Sequence, residues 1–335
     1  MDWLEDFRPQ IYELFAEAEQ RIHRFPAPLN VLGLHYLSGF DIRKQNSIKN
    51  YICYLLPFWL ERTLTMRLHH LSPTSLLPVA KLAALGNVMG MLHFFIQDDL
   101  MDRQDRQSDG IDRQQLVPLS QMLHSEFLLI LSQTTHDQAR LWEYYHRFVS
   151  EWASAVSLEQ ESDYFAQDRQ KIAGKASPLK LSAALLLLEA RLPDQLPVLM
   201  QQLDEVLIAL QMNDDAADWP EDLADGNYNC LLSLIRQELS IKSTSSTDVP
   251  MSIAVPVLTE QRVHQAIYDH HILRRYAAIA ADGYLAVSPS SSIPYLNHFH
   301  AYLIRQLNRM TEQVDQHRNL LMQQGSLWYH ARISP

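Results

Sequence analysis

Two stretches of the chain gather carboxylates where their neighbours are apolar. In HFFIQDDLMDRQD (93–105), Asp98, Asp99, Asp102 and Asp105 follow a run of apolar side chains. In QMNDDAADWPEDLADG (211–226), Asp214, Asp215, Asp218 and Asp222 repeat the D-D-x-x-D form. On a helix turning about 100° per residue, Asp98 and Asp102 sit about 40° apart, and Asp105 falls within about 20° on the other side of Asp98. Asp99 lies at the edge of that arc. Asp214 and Asp218 share a face in the same way, with Gln211 on that face and Asp215 at the edge. Asp222 joins them if the helix continues past Pro220, where the missing N–H could kink or stop it.

Like charges at i, i+4 cost a helix about 0.2–0.5 kcal/mol per pair even in water, and more beside apolar turns. Solvated acidic helix ends would tolerate that cost; otherwise a cation is the natural compensation. Carboxylates with no Cys or His beside them suit a hard ion, Mg²⁺ or Ca²⁺. Mg²⁺ takes one or two carboxylates and leaves its other positions to water and substrate phosphate. Two facing helices of this kind could therefore hold several Mg²⁺ around a diphosphate. Neither run has the D-x-[DN]-x-[DN]-G spacing of an EF-hand.

The elements that must position these carboxylates read as helices. The chain has 335 residues, 47 % hydrophobic, with only 9 Gly and few alternating Val/Thr-rich runs, which argues for helices over sheets. Segments with helical period alternate with breaks rich in Pro, Ser or Gly near 24–30, 71–78, 174–178, 191–197, 240–252 and 287–294. The 240–252 stretch is the strongest loop candidate. No repeat and no domain linker is evident, so we expect one all-α domain over 1–335, with ten or more helices. Residues 79–97 have almost no polar face and should be wrapped by other helices. Gly86 and Gly90, one turn apart there, suit close helix–helix approach.

Other classes are disfavoured. The formal net charge is −11 and no Lys/Arg cluster of the kind nucleic acid needs is present. Cys53 and Cys230 form neither a C-x-x-C pair nor a disulfide framework. The N-terminus lacks signal-peptide character. The longest apolar run, LSAALLLLEA, is too short to cross a bilayer, so the expectation is a cytoplasmic protein with no integral membrane segment. His93 and the His69–His70 pair lack carboxylate or Cys partners at metal-ligand spacing and are expected in core or surface roles.

DDLMD (98–102) and DDAAD (214–218), 116 residues apart, resemble the paired aspartate motifs of the class I isoprenoid synthase superfamily. KIAGKASPLKLSAALL (171–186) resembles that family's Gly-Lys-Thr-Ala segment, with Lys175 at the diphosphate-binding lysine and Lys180 nearby. The resemblance implies an all-α helical bundle around a deep central cavity. It implies a prenyl diphosphate substrate held by three Mg²⁺, with Asp98, Asp99, Asp102, Asp214, Asp215, Asp218 and Asp222 as candidate ligands. Asp98, Asp102, Asp214, Asp218 and Lys175 would be catalytic. A homodimer is common in the superfamily. Met91, Phe94 and Phe95 lie one to two turns below Asp98 and would floor the cavity, or simply pack the core. Arg106, with Arg103, could contact diphosphate or neutralise Asp102 and Asp105. Tyr228 and Asn229 could reach substrate when a lid closes, or belong to a capped turn after Gly226. HARISP at the C-terminus, with Tyr329 before it, weakly resembles the Arg-Tyr endings that close over diphosphate in cyclases.

Chain-elongating members also bind isopentenyl diphosphate, through a Gly-Gly-Lys stretch and an Arg-Arg after the first motif. Here Gln107 and Ser108 stand in place of the arginines, and DIRKQNSIKNY (41–51) offers Arg43, Lys44 and Lys49 without the motif. The resemblance therefore favours a terpene synthase using one diphosphate. The i, i+4, i+8 spacing of Asp214, Asp218 and Asp222 matches a cyclase metal site, though Ala217 replaces a ligand in the usual pattern. EDLADGNYN (221–229) resembles the squalene and phytoene synthase branch. Elongating or head-to-head prenyltransferases remain alternatives, as does a helical binding protein without turnover.

Overall fold

The structure is a computed structural model that describes residues 2–44, 50–68, 75–101, 113–159, 162–244, 258–290 and 293–323. The fold is all-α, and no strand occurs among the described residues. The α-helices are α1 (Arg8–His23), α2 (Leu29–Phe40), α3 (Tyr51–Leu68), α4 (Leu77–Met101), α5 (Arg113–Leu131), α6 (Gln138–Ser157), α7 (Tyr164–Gln167), α8 (Gln170–Gly174), α9 (Lys180–Glu189), α10 (Leu196–Asp225), α11 (Cys230–Thr244), α12 (Glu260–Tyr268), α13 (Ile272–Val287) and α14 (Pro294–Gln323). The chain divides into two compact units. One comprises Met1–Trp152, Ala176–Met200 and Ser291–His298; the other comprises Ala153–Lys175, Gln201–Ser290 and Phe299–Pro335.

The first unit is organised on α4, which packs most extensively against α5, then α3, and also against α1 and α9. Gly86 and Gly90 make the α4–α5 approach possible. A Cβ at Gly86 would stand 2.9 Å from Leu131, and one at Gly90 3.0 Å from Phe127. The buried amide of Asn87 is satisfied, donating to the Cys53 carbonyl at 2.9 Å and the Ser182 hydroxyl at 3.0 Å. By length and apolarity α4 could span a membrane, which an inspection of uninterrupted apolar runs overlooked. However, 67 % of its most apolar window is buried inside the protein, as a wrapped core helix requires.

In the second unit α11 packs against α7, α12 and α13, and α12 against α13. α10 runs unbroken through Pro220, so the proline neither ends the helix nor separates Asp222 from Asp218. Pro57 in α3 and Pro118 in α5 are also internal. α10 stops instead at Gly226, whose φ of 75° suits a residue without Cβ. The Asn227 N–H closes the turn onto the Asp222 carbonyl at 2.9 Å. α11 extends to Thr244, into the loop expected at 240–252; the remainder of that stretch lies outside the described residues.

Candidate functional site

In the second unit, the unbroken α10 sets Asp214, Asp218 and Asp222 on one edge at i, i+4, i+8. Asp214 and Asp218 are open to solvent, Asp222 is half-buried, and Asp215 is only 4 % exposed. Asp215 is the tethered member. Gln211 Nε2 donates to its Oδ1 at 2.7 Å, and the Cys230 backbone N–H donates to its Oδ2 at 2.6 Å. Cys230 opens α11, so this carboxylate sits where unpaired N–H groups and the helix dipole favour negative charge. Asn229 completes the junction. Its Oδ1 accepts the Leu232 N–H at 3.0 Å as an N-cap, and its Nδ2 donates to the Asp215 carbonyl and the Asp222 carboxylate, both at 2.8 Å.

The electrostatics of this edge are those of charge held close without full compensation. Asp214 is reached by solvent yet crowded by protein on most sides. That desolvation, with the neighbouring Asp215 and Asp218 carboxylates, pushes its pKa up to about 7, against a smaller opposing pull from Lys175. Burial also raises Asp215, and the hydrogen bonds from Cys230 and Gln211 hold the rise back. Asp218 is raised by burial and then by Glu221 and Asp215. Asp222 is raised by burial, with the Asn229 and Asn227 amides opposing.

Lys175 lies in this unit at the end of α8. Its Nζ donates to Glu159 Oε1 at 2.6 Å, and its charge acts on Asp214, Asp215 and Asp222. Tyr228 is taken up by the framework: its hydroxyl accepts the Phe165 N–H at 2.6 Å and donates to Asp163 at 3.3 Å. Burial keeps the Cys230 thiol protonated, well above its ordinary range, and pushes Cys53 up to about 12, so neither is a thiolate ligand at neutral pH.

In the first unit, Asp98 and Asp99 are exposed in the last turn of α4. The Tyr36 hydroxyl of α2 donates to Asp99 Oδ2 at 3.1 Å. Phe95 stacks on Phe40 with centroids 4.9 Å apart. Phe94 turns to other partners, Trp152 at 4.8 Å and Phe127 at 6.3 Å. Met91 is buried. Lys180 is buried at the start of α9, its ammonium donating to Glu151 Oε2 at 3.1 Å. Arg43 is held by Asp41 and Glu19. Asp102, Arg103, Asp105, Arg106, Gln107, Ser108, Lys49, His69, His70 and the C-terminal stretch lie outside the described residues.

Sequence reasoning missed Glu159, which pairs with Lys175 and carries no motif to announce it. It also missed Asn229 as the cap that joins the acidic edge to α11. That residue could have been found, since an Asn directly before the apolar run CLLSLI is a helix-start signal. Tyr36 had no signal at all.

Do these residues suit Mg²⁺? Among the described residues no group of three or more His, Cys, Asp or Glu side chains could enclose a metal by themselves. Mg²⁺ ordinarily keeps several waters and takes one or two carboxylates, so an all-oxygen edge with uncompensated negative charge at Asp214 fits it.

No protein-family model matches the chain, and no curated protein sequence matches it. Solved structures do match in fold. A geranylgeranyl pyrophosphate synthase from Lactobacillus brevis ATCC 367 superposes with a TM-score of 0.64 at 16 % identity, covering 92 % of this chain and 100 % of that one. A geranylgeranyl pyrophosphate synthase from Corynebacterium glutamicum, complexed with isoprenyl diphosphate and magnesium, gives 0.58 at 16 % identity, covering 92 % and 98 %. The chain has the all-α isoprenoid synthase fold of these trans-prenyl diphosphate synthases.

Proposed function

We propose that this protein is a Mg²⁺-dependent class I terpene synthase that ionises a linear allylic prenyl diphosphate. The observation that carries the reading is the second acidic edge. Burial, and then the Asp215 and Asp218 carboxylates, push the Asp214 pKa up to about 7, with Lys175 close enough to pull it the other way. An arrangement that costs the fold stability and collects carboxylates beside a lysine is what binding a metal–diphosphate group asks for.

Asp214, Asp218 and Asp222 would hold Mg²⁺ through one motif, and Asp98 and Asp102 through the other. Bound there, Mg²⁺ supplies positive charge to the departing diphosphate. Lys175 adds a fixed ammonium for the same oxygens, exchanging its Glu159 partner for the anion. Asp215 and Asn229 orient the acidic edge from behind. Met91, Phe94 and Phe95 offer the cation an apolar, aromatic surface that excludes water.

A second reading is kept because two solved structures of like fold are geranylgeranyl pyrophosphate synthases. In that reading the chain is a prenyltransferase. Against it, Arg43 is already bound by two carboxylates, and Gln107 and Ser108 replace the arginine pair. Incubation with geranyl, farnesyl and geranylgeranyl diphosphates, each alone and with isopentenyl diphosphate, separates the two. Hydrocarbon or alcohol from one substrate supports a synthase. A longer product made only with isopentenyl diphosphate supports a transferase. No Mg²⁺-dependent diphosphate release from any of them leaves a binding protein.

A further inference from the structure

Lys175 meets the acidic edge already paired with a carboxylate. Its Nζ donates to Glu159 Oε1 at 2.6 Å, and the two side chains are only 23 % and 15 % exposed. Both groups are therefore largely out of water, and the contact is a charge-assisted hydrogen bond between desolvated partners. The lysine charge also acts on Asp214, Asp215 and Asp222, and both members of the pair act on the Cys230 thiol and the Tyr164 hydroxyl. Glu159 thus shares the neighbourhood of the second motif.

The two partners are not held alike. Lys175 closes α8, with its backbone N–H on the Ile172 and Ala173 carbonyls. α8 is tied to the end of α6 by Lys171, whose ammonium donates to the Ser154 hydroxyl at 2.7 Å. The Tyr164 hydroxyl donates to the Ala155 carbonyl, also at 2.7 Å, and holds α7 to the same end. Glu159 stands beyond the last residue of α6, in a turn. It can withdraw without unwinding a helix, and the packing around it has other ties. A glutamate placed in this way governs the lysine's charge more than it supports the fold.

We propose that Glu159 is a latch on Lys175 that makes diphosphate binding conditional on Mg²⁺. The inference rests on the reading of this edge as a diphosphate site. A bare diphosphate would have to displace Glu159 while facing the Asp214 and Asp222 carboxylates with nothing to offset their charge. With Mg²⁺ on those aspartates the repulsion is removed, and the diphosphate oxygens can take Lys175 from Glu159. The latch keeps free phosphates and metal-free prenyl diphosphate out. It engages the ammonium only when the metal needed for ionisation is present, and it gives Lys175 a partner to return to when the diphosphate leaves.

The test is binding of inorganic pyrophosphate by isothermal titration calorimetry, in EDTA and in excess Mg²⁺, with thermal melting as the check on folding. The variants are Glu159→Gln, which keeps an acceptor for Lys175 but removes the charge, and Glu159→Ala. Wild type is expected to bind only with Mg²⁺. In EDTA both variants should bind at least about tenfold more tightly than wild type, because one close negative charge has gone. Adding Lys175→Met to Glu159→Gln should abolish that gain. No gain in either variant overturns the proposal, and so does a gain that survives Lys175→Met. Wild type that binds equally with and without Mg²⁺ overturns it while leaving the diphosphate site standing. Failure of both Glu159 variants to fold would assign the pair to the framework and overturn it too. Wild type that binds no pyrophosphate even with Mg²⁺ overturns the diphosphate site itself, and the latch with it.

Discussion

DDLMD and DDAAD are nearly the same word set in different contexts. The first is described to Met101, at the end of α4, where Asp98 and Asp99 stand in solvent and one tyrosine hydroxyl reaches Asp99. The second lies inside α10, with more helix on both sides. There Asp215 is drawn inward by Gln211 and the start of α11, while Asp214 beside it stays accessible and crowded. The two adjacent aspartates of the second motif therefore divide the work. Asp215 anchors the edge, and because it is anchored Asp214 can be kept in an unfavourable setting.

The sharpest way to break the comparison is through chemistry, where the motifs should behave alike. Asp98→Ala and Asp214→Ala are each expected to lower Mg²⁺-dependent diphosphate release by more than about 10²-fold, with far-ultraviolet circular dichroism unchanged. Near-wild-type turnover in either would count heavily against the proposed function.

Stability should then separate what activity does not. Asp215→Ala leaves the Cys230 N–H and the Gln211 amide without their acceptor in a buried place, and should cost about 2–4 kcal/mol in urea unfolding. Asp99→Ala, at an exposed helix end, should stay within about 0.5 kcal/mol. A comparable loss from both would dissolve the distinction between tethered and open motifs.

The pH dependence of Asp214 is a smaller effect with a definite sign. Its carboxyl is pushed up to about 7 in the folded protein from its ordinary value of 3.8. Between about pH 4 and pH 7 the folded state therefore binds a proton that the unfolded chain has released, and stability falls across that window as pH rises. Above it the penalty is constant. Asp214→Asn removes the charge, so the variant should melt a few degrees above wild type at pH 8 and together with it at pH 3.5. Solvent access to Asp214 damps the size but not the direction. A variant less stable than wild type at pH 8 would show that Asp214 is not under strain.

Much of this contrast could be read from residue spacing, and some could not. The all-α class, the wrapping of residues 79–97 and the close approach at Gly86 and Gly90 followed from composition and period, because apolar faces and missing Cβ atoms act locally. Of the two outcomes open at Pro220, a stop did not occur: it lies inside α10, where surrounding packing outweighs one lost backbone bond. The acidic edge at 214, 218 and 222 was visible as letters, but the sinking of Asp215 into α11 was not. That depends on which helix start arrives beside it, a long-range fact that helical projection does not contain. Glu159 opposite Lys175 was hidden for the same reason.

The finest test concerns how tightly each motif is tied to its neighbours, measured by double-mutant cycles. In the first motif the cycle is Tyr36→Phe with Asp99→Asn, across one exposed hydrogen bond of 3.1 Å. Water can replace either partner there, so the coupling should be no more than about 0.5 kcal/mol. In the second, Gln211→Ala with Asp215→Asn crosses a 2.7 Å bond to a carboxylate only 4 % exposed. Replacement by water is blocked, and a hydrogen bond to a charged group is worth about 1.5–3 kcal/mol, so the coupling should exceed about 1 kcal/mol. Equal couplings would mean that burial of Asp215 does not set the second motif apart. Unequal ones in the expected order would place the difference in the junction with α11 rather than in the aspartates themselves.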